Sequence, residues 1–249
     1  MMAMKRIRWY VILCAILIVL FIAFNLIHYT VFRDSNFLLL WNLTNLAFLP
    51  VSVLFVSIIL EELLSIREKR ARLEKLNIVI GIFFSNYGTK LLNKLIAVDK
   101  NISSVKSAML VNAKWSKRDF VDEKKSLKNY SSSLSISVDE MNDVSVALKE
   151  KEDSLLRLLE NPYLSEHAQF TELLRALLHL REEFACREDL SKCPVSDFNH
   201  IVQDINRVYL LLIPQWLDYM RYLKENYAYL FSLAMRRNPF DPKADIIII

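Results

Sequence analysis

Two histidines and two carboxylates share one spacing within HLREEFACREDLSKCPVSDFNHIVQD, residues 179–204: His179 stands four residues before Glu183, and His200 four before Asp204. Imidazole nitrogens and carboxylate oxygens are ligands of zinc and of other first-row transition ions, and a step of four sets each pair on one helix face. The chemistry within reach is therefore that of a bound transition metal. Cys186 and Cys193 lie between the two pairs. Their six-residue gap does not match the two-residue gap of zinc knuckles or thioredoxin-like motifs, and in a reducing compartment both are free thiols.

Helical periodicity weighs against the metal. Advanced by about 100° per residue, a helix over 165–188 gathers Phe170, Leu173, Leu174, Leu177, Leu180 and Phe184 on one apolar stripe, with Glu172, Arg175, His179, Glu182 and Glu183 opposite. Arg175 and Glu183 flank His179 at four residues on either side, the pattern of a solvated charge ladder, and a base so close disfavours a cation. In the next helix, beginning near Asp197, the buried face is Phe198, Ile201, Ile205, Val208, Tyr209, Leu212, Trp216, Tyr219 and Leu223. His200, Arg207 and Asp218 project from its polar flank, while Asp204 sits nearer the boundary, within reach of Arg207.

Metal-binding bundles project Glu-x-x-His pairs inward from several helices. Here Ala176 precedes His179 by three and Asp197 precedes His200 by three. The expectation is a solvated polar face without a cofactor, with a transition-metal site at His179, Glu183, His200 and Asp204 as the alternative. Arg181 falls inside the apolar stripe, where it either snorkels to water, pairs with an acid such as Glu188 or Asp204, or holds an anion.

Composition limits what else the chain can do. Gly81 and Gly88 are its two glycines, where ordinary usage would supply about seventeen. No phosphate-cradling loop, dinucleotide fingerprint or nucleophile elbow can be assembled from them. Scarce glycine, few prolines and runs of Leu, Lys and Glu indicate an all-α fold.

Residues 9–32 and 37–60 are each long enough to cross about 30 Å of hydrocarbon as a helix. Only residues 33–36 separate them, so an antiparallel transmembrane hairpin over residues 1–60 is expected. The first apolar run is too long for a signal peptide and no small-residue cleavage site follows it, which makes it a retained anchor. Lys5, Arg6 and Arg8 precede the first span, Arg67, Lys69, Arg70, Arg72 and Lys75 follow the second, and the turn has Arg33 alone. Both termini are thereby predicted to be cytoplasmic, in a multi-pass protein of the inner membrane. Residues 1–60 carry four bases and one acid, +3 of the +4 total; the near-neutral remainder argues against nucleic acid as a partner.

Amides in lipid are costly unless paired. With the turn centred between residues 34 and 35, Asn25 lies level with Thr44 and Asn45, and His28 with Trp41 and Asn42. These side chains are expected to hydrogen-bond between the helices; the alternative is a small polar pocket for an ion or a quinone-like ligand.

Beyond the hairpin, residues 61–130 read as juxtamembrane helices. Ile66, Leu73, Leu76, Ile80, Phe83 and Tyr87 step by three or four, a partial coiled-coil seam for a second copy, interrupted at Lys69 and Lys90. Gly81 and Gly88, seven apart, share a face that a neighbouring helix can approach closely. LNIVIGIFFSNYGTKLL, residues 76–92, and YLFSLAMRRNPFDP, residues 229–242, resemble segments of a family of uncharacterised prokaryotic membrane proteins that join a two-span hairpin to a helical cytoplasmic region. The resemblance implies a bacterial or archaeal inner membrane and brings no catalytic residue.

The serine-rich SSSLSIS, residues 131–137, reads as a linker. A cytoplasmic helical bundle is expected over 138–236. Ser137 and Glu140 have capping-box spacing, so a helix begins there and runs to about 160, where Asn161–Tyr163 ends it. Pro214 is predicted to kink or divide the helix that begins near 197. A short helix over 227–236 precedes a tail, 237–249, whose four isoleucines either dock or hang free. A membrane-anchored module that acts through a protein partner or a second copy, as a scaffold, adaptor or signal-coupling subunit, is the leading functional expectation; the alternative is a membrane-bound helical metal-binding protein or metalloenzyme that uses His179, Glu183, His200 and Asp204.

Overall fold

The structure, a computed structural model, describes residues 2–247. Among those residues it is all-α, with nine α-helices and a lone bridge between Asp99 and Leu134 in place of any strand. The chain divides into two compact units between Glu68 and Lys69.

The first unit holds α1 (Met2–Phe32) and the beginning of α2 (Ser35–Phe83). No Asp, Glu, Lys or Arg occurs over 9–32 or 35–60, so no charge opposes apolar helices there, and α2 runs on through Pro50. The connection takes two residues rather than four. Arg33 adopts φ 51°, uncommon for a residue with a Cβ, and its N–H donates to Tyr29 O at 2.9 Å. Asp34 then caps α2, its Oδ1 accepting from the N–H of Asn36 and of Phe37 at 3.1 and 3.0 Å. Large apolar side chains such as Ile18, Phe24, Leu40, Leu46 and Phe55 are exposed on both helices. By length and composition either helix can cross a bilayer.

In the second unit, α2 turns from exposed to buried. Leu76, Ile80 and Phe83 enter the core together with Tyr87, while Ile66 and Leu73 remain exposed. The expected intermolecular seam therefore splits, its later residues being consumed by the chain's own bundle. A π-helical turn, Phe84–Gly88, follows. A Cβ at Gly88 would meet Phe83 Cε1 at 2.5 Å and Phe84 Cδ1 at 2.8 Å, so the crowding comes from the rings just before it rather than from a neighbouring helix. At Gly81 the nearest atom, Tyr219 Cε2, is 3.8 Å away, an ordinary contact.

After α3 (Thr89–Ala97) the buried Asp99 organises the chain. Its Oδ1 accepts from the N–H of Asn101 and of Ser133 at 3.0 and 2.9 Å, and the Tyr130 hydroxyl donates to Oδ2. Lys100 N–H to Ser133 O and Ser135 N–H to Val98 O complete the strap. Residues 131–137, expected as a linker, are thus fastened to the bundle. The short α4 (Ser103–Lys106) and α5 (Lys117–Ser126) lie between.

The expected capping box starts α6 (Val138–Leu159): Ser137 Oγ accepts from Glu140 N–H at 3.3 Å and Glu140 Oε2 from Ser137 N–H at 2.7 Å. Asn161 ends it by accepting from Tyr163 N–H at 3.0 Å. Because Pro162–Glu166 forms a 3-10 turn and His167 Nδ1 caps the next helix, α7 (Ala168–Ala185) begins later than the expected residue 165. The predicted stripe of α7 is buried in full. Arg181 pairs with Glu152 of α6 at 2.5 Å, rather than with Glu188 or Asp204.

At the centre, α8 (Val195–Asn226) packs against α3, α5, α7 and α9 (Ala228–Arg236). It runs past Pro214 undivided, with Ile213, Trp216 and Leu217 buried beside the proline. The start of the tail belongs to the core as well. Asn238 Nδ2 donates to Met109 O at 3.0 Å, and the Phe240 ring lies 5.1 Å from that of Trp216. Residues 69–241 therefore share one core that no boundary at 130 or 237 interrupts. Ile246 and Ile247 are exposed; Ile248 and Ile249 lie outside the described residues.

Candidate functional site

The segment between α7 and α8 is short, and the helices return antiparallel: His179 faces Asp204, Glu183 faces His200, and Arg187 faces Asp197. Numbers rise along α7 as their partners fall along α8. The polar flank of each helix is laid against the other's.

Asp204 is the focus. Its side chain is 5% exposed, and its Oδ2 lies 3.6 Å from His179 Nε2 and 3.5 Å from His200 Nε2. Its Oδ1 faces Arg207 Nη1 at 3.6 Å. Glu183 flanks the group, with Oε1 3.8 Å from His179 Nε2 and Oε2 3.9 Å from His200 Nε2. One donor atom each from His179, Glu183 and Asp204 falls within 4.8 Å of the other two. His200 closes the group from α8.

Arg187 clamps the hairpin beside the segment that joins α7 to α8. Its Nε and Nη2 donate to Asp197 Oδ2 and Oδ1 at 2.8 and 2.5 Å, and Nη1 donates to Glu183 Oε2 at 2.7 Å. This bidentate guanidinium holds the Asp197 carboxyl down at about 2. A hydrogen bond from the same guanidinium lowers Glu183, while Asp197 and then Glu183 push Arg187 up in return. Glu183 is thus kept ionised and oriented, and the imidazoles converge on a second carboxylate that is buried. Donor atoms of His179, Glu183 and Asp204 share one small volume, with His200 Nε2 beside Asp204 Oδ2.

The helical wheel is right that both histidines stand away from the core, for their side chains are 45% and 51% exposed. A wheel contains no register between helices, and the antiparallel return is what unites the two pairs. Asp204 does face Arg207, as its boundary position suggests, but it is buried rather than marginal. The Arg187–Asp197 clamp escaped the periodicity argument. Its signal was available in the Glu183-x-x-x-Arg187 spacing and in Asp197 at the start of the returning helix.

In the hairpin unit, Asn42 Nδ2 donates to Asn25 Oδ1 at 2.8 Å, and Asn25 Nδ2 donates to Phe21 O at 2.8 Å. The shorter turn centres the hairpin between Arg33 and Asp34, which moves the partner of Asn25 from Thr44 and Asn45 to Asn42. Thr44 donates to Leu40 O of its own helix at 2.9 Å, and Asn45 is exposed. The His28 ring stacks on Phe37, with centroids 5.8 Å apart, instead of lying level with Trp41.

An apolar two-helix unit, followed by a helical bundle with a histidine–carboxylate cluster on one helical hairpin, defines the class of protein. The chain belongs to the MJ1433 family: residues 4–64 match the family model described as MJ1433, N-terminal helical domain, and residues 72–236 match Uncharacterized protein MJ1433, C-terminal helical domain. It is 42% identical over 240 residues, 96% of either chain, to Uncharacterized protein MJ1433 of Methanocaldococcus jannaschii. An uncharacterised family is what residues 76–92 and 229–242 imply. No solved structure matches.

Proposed function

We propose that the chain is a membrane-anchored helical interaction module. Its hairpin crosses the cytoplasmic membrane of a prokaryote with both termini in the cytoplasm, and its bundle acts there as a scaffold, adaptor or signal-coupling subunit. The observation that carries this reading is apolar exposure: α1 and the first part of α2 bear large hydrophobic side chains outward, with no charge over 35–60. A water-facing helix would show a polar side, whereas lipid accepts such a surface and the helices satisfy their own backbone groups. Lys and Arg at the two outer ends of the hairpin, against Arg33 in the turn, support the orientation. Ile78 and Ile82, exposed one turn apart on α2, and the exposed Tyr229 of α9 supply apolar surface for a protein partner or a second copy. The near-neutral bundle favours protein over nucleic acid.

Sealed membrane vesicles test this directly. The protein is expected to resist carbonate extraction, and the exposed Cys186 to react with an impermeant maleimide in inverted vesicles only. Extraction by carbonate, or labelling of Cys186 in right-side-out vesicles, rejects the anchor or its orientation. A strictly monomeric, partnerless chain on crosslinking in native membranes rejects the interaction role.

A further inference from the structure

We infer that His179, Glu183, His200 and Asp204 bind one divalent first-row transition-metal ion, of which zinc is the representative, between α7 and α8. Proximity of acids alone does not make a site; Asp204 does. Its side chain is 95% shielded from solvent, and its Oδ2 has no hydrogen-bond partner among the described residues although two imidazole nitrogens stand 3.5 and 3.6 Å away. A buried carboxylate oxygen left without a donor is costly, and folds retain such groups where something else satisfies them. A cation among the four side chains would.

The separations fit that ion. Ligands bound at about 2.0–2.1 Å around a tetrahedral centre lie roughly 3.3–3.5 Å from one another. Asp204 Oδ2 stands 3.5 Å from His200 Nε2 and 3.6 Å from His179 Nε2, and Glu183 Oε1 stands 3.8 Å from His179 Nε2, so these three separations need only a few tenths of an ångström of contraction to meet it; His200 joins through Asp204, since its 3.9 Å approach to Glu183 is to the Oε2 that Arg187 holds. Nearby bases do not take the places of the metal. Arg187 engages Glu183 Oε2 and Arg207 faces Asp204 Oδ1, which leaves Oε1 and Oδ2 toward the imidazoles. Arg187 thus orients Glu183 from outside, as a hydrogen-bonding partner of a metal ligand does, and Arg207 flanks Asp204 on its other oxygen.

Donor chemistry sets the class. Two imidazoles and two carboxylates suit zinc or ferrous iron, whereas calcium and magnesium prefer oxygen alone and copper(I) prefers sulfur. Half-exposed histidines leave the ion a path from solvent. Four ligands on one helical hairpin would also fasten α7 to α8 at its middle, between the Arg187–Asp197 clamp and the buried Leu177 and Val208.

The test uses the full-length chain without a histidine tag, purified in detergent without chelator, exposed to zinc and then dialysed. About one zinc per chain is expected, with a rise in thermal midpoint on loading and visible absorption bands when cobalt(II) is substituted. His179→Gln and Asp204→Asn should each weaken zinc binding at least about tenfold and abolish the thermal shift, while His28→Gln does neither. Should Asp204→Asn fail to fold, His200→Gln, at a half-exposed side chain, provides the same comparison. Failure of the wild-type chain to hold zinc at micromolar concentration means that the imidazoles are only ion-pair partners of Asp204, and the inference falls. Equal retention by wild type and ligand variants places the zinc elsewhere and overturns it too.

Discussion

Arg187 shows how one side chain sets the electrostatics of its surroundings. Its guanidinium spans Asp197 on α8 and Glu183 on α7, so a single residue joins the two halves of a helical hairpin. Asp197 is held at about 2, below its ordinary value of 3.8, which means that folding favours the ionised form. The stabilisation is therefore present above about pH 4 and fades as the pH falls from about 4 towards 2. The neutral amide of an Asp197→Asn variant mimics the protonated acid and cannot form the ion pair. We expect the variant to be less stable than wild type at pH 7, and the gap between them to close as the pH falls through that window. Paired denaturant titrations at pH 7, 4 and 2 measure it; a constant gap would show that Arg187 draws no pH-dependent strength from Asp197.

At the level of elements, the π turn is the most exacting piece of local structure. Gly88 has Phe83 and Phe84 rings packed where a Cβ would project, and both rings are themselves locked, Phe84 stacked on Tyr219 at 5.1 Å and Phe83 edge-on to Phe170 at 5.4 Å. Gly88→Ala is expected to destabilise the chain by about 1–3 kcal/mol, the range for overpacking a core. Gly81→Ala, with room around it, should be neutral or slightly stabilising through helix propensity. Thermal unfolding of the two variants side by side decides it, and equal midpoints would deny Gly88 this role. The same elements show what a sequence discloses. Period and capping residues were sufficient for the stripe of α7, the face of α8 from Ile201 onward (Phe198 is only partly buried) and the start of α6, because each depends on neighbours within four positions. What period alone leaves out is contact between distant segments. The seam through Leu76 and Phe83 is apolar whichever helix covers it, the serines at 131–137 look free until Asp99 accepts from them, and His179 meets Asp204 only once the register of α7 on α8 is known.

For the molecule as a whole, two units with separate sources of stability imply two separate unfolding events. The bundle is held by buried apolar side chains around α8, a contribution that guanidinium weakens by solvating them. The hairpin buries little within itself; its helices are held by their own backbone hydrogen bonds and, on the proposed reading, by the apolar medium around them. Denaturant added to the protein in micelles should therefore melt the bundle first and leave the hairpin helices in place, outside two-state behaviour. Tryptophans are placed to follow each event. Trp216 is buried in the bundle core, while Trp41 is exposed on the hairpin. With single-tryptophan variants, Trp216 emission should shift to longer wavelength in the first transition, accompanied by partial loss of helical circular dichroism, while Trp41 emission stays blue. Asn42→Leu, which removes the hydrogen bond to Asn25, should leave the Trp216 transition where it is. One coincident transition for both tryptophans and for helicity would mean that the hairpin and the bundle fold as a single cooperative body, and that the hydrophobic surface of α1 and α2 is supported by protein rather than by lipid.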